Sequence, residues 1–181
     1  ENPDRFEESA SGEPLLTAKA ALRSGGLGEI GLSFMGGVYN RHQADGFTLD
    51  RRRRCDVVAI DAAFVVPGTG SRLRGEWTWI AVDVPPTYSQ QFGSRQMGGH
   101  LDIVHPLWSG DLLGWSSAEV NLGVRIESVD WNRESFRETG EPIGDELWSI
   151  VAALSFRPAA GTVLRLNFRH QEETDLFGNP P

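Results

Sequence analysis

Cysteine, lysine and long apolar runs are all but missing from this chain, and each absence removes a class of structure. Cys55 stands alone, so no intrachain disulfide framework and no cysteine-based zinc motif can form. Lys19 is the only lysine, and positive charge is otherwise arginine. The formal charge of −8 and a pI near 5.0 argue against non-specific nucleic-acid binding as the main business. No stretch approaches the roughly 20 apolar residues that a spanning helix requires, so a membrane protein of this sequence has to be a β-barrel. The histidines, His42, His100, His105 and His170, form no metal-ligand spacing and sit in no nucleophile motif. The chain is therefore read as a non-enzyme, with no cofactor and no metal. Over 181 residues, 39% apolar and 23% charged, it has the composition of one folded domain.

What the chain does have is period-two patterning, which recurs almost everywhere between breaks rich in glycine, proline and aspartate. About eight strands are expected, over 15–23, 27–38, 55–66, 71–82, 95–107, 115–127, 145–157 and 163–170. Each is near the roughly 9–11 residues that a tilted strand needs to cross a bilayer. The sixth has the cleanest alternation, setting Ala118, Val120, Leu122, Val124 and Ile126 against Glu119, Asn121, Arg125 and Glu127. In the last, Leu164, Leu166, Phe168 and His170 oppose Val163, Arg165, Asn167 and Arg169. A soluble sheet would bury the apolar face; a membrane barrel turns it to lipid and keeps the polar face inside.

The connections favour the second arrangement. Short turns fall near 24–26, 67–70, 109–114 and 158–161, and longer loops at 39–54, 84–94, 128–144 and from 171 onward. Tight turns on one side and long loops on the other are the pattern of outer-membrane barrels. The expected fold is thus all-β, an antiparallel up-and-down transmembrane barrel forming a single unit over 1–181, with 1–13 a loop or tail and 171–181 an extracellular loop or tail. Counting directions along the strands puts both ends of this chain on the long-loop side, whereas bacterial barrels begin and end in the periplasm. The chain is therefore expected to be a piece of a larger barrel. Tyr39, Trp108, Trp115, Trp131, Trp148 and Phe177 fall near strand ends, where an interfacial girdle would put them. Trp77 and Trp79 lie deeper.

Several phrases resemble the porins of the outer membrane, in particular the phosphate-selective porin O and P family. They are GEIGLSFMGGVYN (28–40), DVVAIDAA (56–63), RGEWTWIAVDVP (74–85), QMGGHLDIVHPLW (96–108) and TVLRLNFRH (162–170) followed by DLFGN (175–179). The resemblance implies passive diffusion of small hydrophilic solutes or ions, usually through a homotrimer embedded in lipid and lipopolysaccharide of the bacterial outer membrane. No lysine-rich phosphate-binding loop is present, so phosphate selectivity is not carried over.

Local motifs carry less. Gly26-x-Gly28-x-x-Gly31 spells a dinucleotide fingerprint, but a strand rather than a helix follows it, which makes it a hairpin turn. Arg51, Arg52, Arg53 and Arg54 form a run that is either a solvated loop end or a cationic rim able to attract anionic solutes and lipopolysaccharide phosphates. The polar faces gather Lys19, Arg23, Glu29, Asp61, Arg72, Arg74, Glu76, His100, Asp102, Glu119, Asn121, Arg125, Glu127, Arg157, Arg165, Asn167 and Arg169 as candidate pore-lining residues. Their bland alternative is an interlocked network filling a small closed barrel. The wall of a water-filled pore with mild anion preference is the favoured reading. Two alternatives remain: a soluble β-sandwich or lipocalin-like binding module, and an outer-membrane hydrolase using His105 or His170 with a nearby serine.

Overall fold

The structure is a computed structural model that describes residues 11–85 and 93–180. Expectations for 1–10 of the leading tail, for 86–92 of the second long loop and for Pro181 lie outside the described residues. Among the described residues ten strands follow one another: β1 (Leu16–Ser24), β2 (Gly28–Val38), β3 (Gln43–Ala44), β4 (Phe47–Thr48), β5 (Arg54–Val65), β6 (Arg72–Val82), β7 (Arg95–Leu112), β8 (Trp115–Asp130), β9 (Glu146–Ala159) and β10 (Thr162–Glu173). Eight form one antiparallel meander in the order β1-β2-β5-β6-β7-β8-β9-β10, and β3 with β4 makes a small separate hairpin inside the first long loop. The expected strands are all there, and so are their alternating connections among the described residues.

Two details differ from expectation. The strands around the third tight turn are longer, because β7 runs on to Leu112 and turns at Leu113-Gly114, both with positive φ, while bulges near Pro106 and Gly110 absorb the extra residues. The first long loop is not irregular throughout, since Asp45 and Gly46, also at positive φ, close the β3–β4 hairpin. The large sheet is open, with β1 and β10 as its two edges.

Burial is inverted relative to a soluble sheet. Glycine and proline aside, Ala118 and Ile143 are the only buried apolar side chains among the described residues. Leu22 is 77% exposed, Leu154 46% and Leu166 74%. Directly opposite residues on neighbouring strands share a face, so the ladders place Leu32, Ile60 and Trp77 on the same side, as they do Leu122, Leu154 and Leu166. Each of the eight strands turns most of its large apolar residues to that side, while Val57, Ile80, Val104 and Val151 share the polar face. The surface of 12775 Å² compares with roughly 8,700 Å² for a compact soluble monomer of this mass.

Gly99 shows how tightly the ladder constrains that face. It pairs with Trp77, and a Cβ there would run into the Glu76 carbonyl and the Trp77 ring. Gly99→Val is expected to destabilise the sheet by about 1–3 kcal/mol through overpacking. Urea or thermal unfolding in detergent or lipid measures the loss.

Candidate functional site: a charged sheet face

The polar residues form rows running across the strands. Asp61, Glu76, His100 and Glu127 lie in register from β5 to β8 and continue to Ser149 on β9. Two residues along each strand toward the short turns, the next row holds Arg74, Asp102, Arg125 and Arg169. Below it Arg72 and Asn167 share one row, in the next Asn121 and Arg165 flank Ser155, and Glu119 then stands opposite Arg157. Lys19, Arg23 and Glu29 occupy the same face of β1 and β2. Every residue expected on the polar side is therefore on one continuous face.

Ion pairs tie that face together, two of them across an intervening strand. Lys19 on β1 donates to the Asp61 carboxylate on β5 at 2.7 Å, passing over β2. Gly31 makes room for it, because a Cβ there would sit 2.7 Å from an Asp61 carboxylate oxygen. Likewise Arg169 on β10 reaches Glu127 on β8 over β9, where the fully buried Ser149 donates to the same carboxylate at 2.6 Å. Arg125 grips Asp102 bidentately at 2.6 and 2.8 Å, and Arg23 donates to Glu29 at 2.8 Å. Bridges that skip a strand draw the sheet around its polar side. Exposed pairs of this kind each add at most about 1 kcal/mol, so they shape the wall more than they hold it.

Arg72, Arg74, Arg157 and Arg165 have no carboxylate within 4.0 Å among the described residues. Glu76 and Glu119 have no cation at that distance. A trough of about 480 Å³ opens on this face between β6 and β10. Five arginines and two carboxylates line it, both carboxylates already held by Arg125 and Arg169, leaving an excess of positive charge.

The four-arginine run is engaged at the long-loop end. Arg51 pairs with Asp83 at 2.7 Å, Arg52 with Glu13 at 2.8 Å and Arg54 with Asp56 at 3.0 Å. Arg53 is 4% exposed; it clamps Asp50 with two hydrogen bonds and donates to the Val84 carbonyl at 3.0 Å. These arginines tie their loop to Glu13 and to residues 83 and 84 after β6. A second cluster joins 131–145 to the chain after β10: Ile143 is buried, Phe136 stacks on Phe177, and Asn132 donates to Asp145 at 2.7 Å.

Three features are silent in the sequence: Ser149, the Arg53 anchor and the small residues between the arginines of this face, whereas the serine expected near His105 is Ser71, its Oγ 2.8 Å from His105 Nδ1. Only burial or pairing reveals them, and each residue type is unremarkable in its strand. The Ser71–His105 pair lies on the apolar side beside a short turn. Thr69 shares the Ser71 hydroxyl, and no carboxylate lies within 4.0 Å of His105 among the described residues to orient the ring. His170 packs edge-on against Trp148 and faces Glu172 at 3.4 Å, with no serine bonded to it.

The Arg53 hydrogen bonds hold the Asp50 carboxyl below the usual carboxylate range. Because the folded-state value is lowered, this contribution is present at neutral pH and is lost as the pH falls below about 4. Arg53→Ala is expected to release residues 39–54. Hydrogen exchange at neutral pH would show protection lost there and retained in β7 and β8, and the unmodified chain would lose the same protection on acidification.

No protein-family model, curated protein or solved structure matches the chain.

Proposed function

We infer that this chain forms part of the wall of an outer-membrane channel, similar to porins, that passes small hydrophilic solutes by diffusion and mildly prefers anions. The observation that carries the reading is the inverted sheet: an unbroken apolar face stands uncovered, while the opposite face holds nearly all the charge and is cross-linked by ion pairs. In water such a face would be a severe aggregation liability; against lipid tails it is the stable arrangement. A soluble sandwich needs a second layer over the apolar side, and none lies there among the described residues. The open edges at β1 and β10 need strand partners in a bilayer, which fits a larger barrel. Assembly as a homotrimer and contact with lipopolysaccharide follow from the porin resemblance.

The hydrolase alternative rests on Ser71 and His105 alone, without an orienting acid. The excess of arginine over available carboxylate in the trough supports anion preference through the local field.

Two measurements test the proposal. Leu154 is central in β9 and exposed, so Leu154→Arg in a water-soluble fold changes stability by less than about 0.5 kcal/mol. Facing lipid, the same substitution costs about 2–4 kcal/mol in refolding into vesicles, and a negligible effect would sink the membrane reading. In planar bilayers the full-length protein is expected to carry ion current. Asp102→Asn, which frees Arg125, should move the reversal potential in a salt gradient further toward anions; absence of current would sink the channel reading.

A further inference from the structure

Resting on the channel reading, we propose that the trough between β6 and β10 is a binding site for small organic dianions whose two acidic groups are separated by an apolar ring or short chain. The support is a single cross-strand row. Arg72 on β6 pairs in register with Val104 on β7, Val104 with Gly123 on β8, Gly123 with Ala153 on β9, and Ala153 with Asn167 on β10. All five line the trough. A cation therefore stands on one bank, three small apolar residues make the floor, and the other bank carries Asn167 with Arg165 and Arg169 two residues to either side on the same face.

The banks are chemically ready. Arg72 and Arg165 have no carboxylate partner among the described residues, so each guanidinium has donors free for a carboxylate or similar planar acid. The floor is the discriminating part. From Val104 to Ala153 it spans two strand spacings, about 10 Å, with no charged group in the row. A hydrated inorganic anion gains nothing from wetting that strip. An organic body the size of one ring covers it and removes apolar surface from water. Two acids held apart by such a body reach both banks at once, which a single acid group cannot do.

Gly123 keeps the floor open without being required by the backbone. It has no positive φ, and a Cβ added there would meet Ala153 at 3.6 Å, an ordinary contact. Gly123→Leu is therefore a filling substitution that the strand tolerates.

The test uses the full-length protein with terephthalate, benzoate and inorganic phosphate as probes. Binding is read by calorimetry in detergent, and block of chloride current is read in planar bilayers. Terephthalate is expected to bind about tenfold more tightly than benzoate or phosphate, a difference that the extra bank contact or the covered floor supplies. Arg72→Gln should bring terephthalate down to the benzoate level, and Gly123→Leu should abolish the preference while thermal unfolding stays close to that of the unmodified protein. Equal binding of phosphate and terephthalate, or an unchanged preference in a folded Gly123→Leu, would overturn the site. Selective binding without any current sinks the channel reading and leaves the site standing; current without selectivity does the reverse.

Discussion

Cross-strand register is the constraint on which the rest of this structure depends. Strand side chains alternate with period two, so a slip of one residue between any two neighbours would carry a whole row of charge onto the apolar face. Eight strands hold a common parity from Ala21 opposite Gly31, through Asp61, Glu76 and His100, to Glu127, Ser149 and Gln171. Only because that parity holds through the centre of the sheet do Lys19 and Asp61, or Arg169 and Glu127, meet across an intervening strand. The bulges in β7 fall near Pro106 and Gly110, toward the short turn, and leave the paired centre of the sheet undisturbed.

With register secured, stability is distributed unlike that of a soluble domain. The backbone ladder and the surroundings of the apolar face carry the sheet, while most tight side-chain burial collects at the long-loop end. Arg53, His42, Asn132 and Ile143 are each less than 9% exposed, and all lie outside the large sheet. There the first long loop is tied by Asp50, Asp83 and Asn40, and the third by Asp145 and the stretch after β10.

Legibility in the sequence followed the range of the interaction. Strands such as β8 and β10 could be read because alternation is local, whereas the run of β7 on to Leu112 could not, because the bulges near Pro106 and Gly110 interrupt its period. The polar face could be read residue by residue for the same reason. The role of the arginine run could not: Arg53 looks like its three neighbours until folding brings Asp50 and the Val84 carbonyl around it and removes it from solvent. Gly31, Gly123 and Ser149 were equally silent, because a small residue matters only through what its neighbours on adjacent strands reach across it.

The sequence by itself determined the all-β class, the strand positions, the alternation of short and long connections and the sorting of side chains onto two faces, since all of these follow from local periodicity and turn chemistry. The tertiary structure alone decided which charges neutralise one another, which arginines stay free, and that an arginine-flanked apolar strip crosses the wall from Arg72 to Asn167. Those outcomes depend on pairing between residues as far apart in the chain as Lys19 and Asp61 or Glu127 and Arg169, and periodicity along one strand carries no information about its neighbour's register.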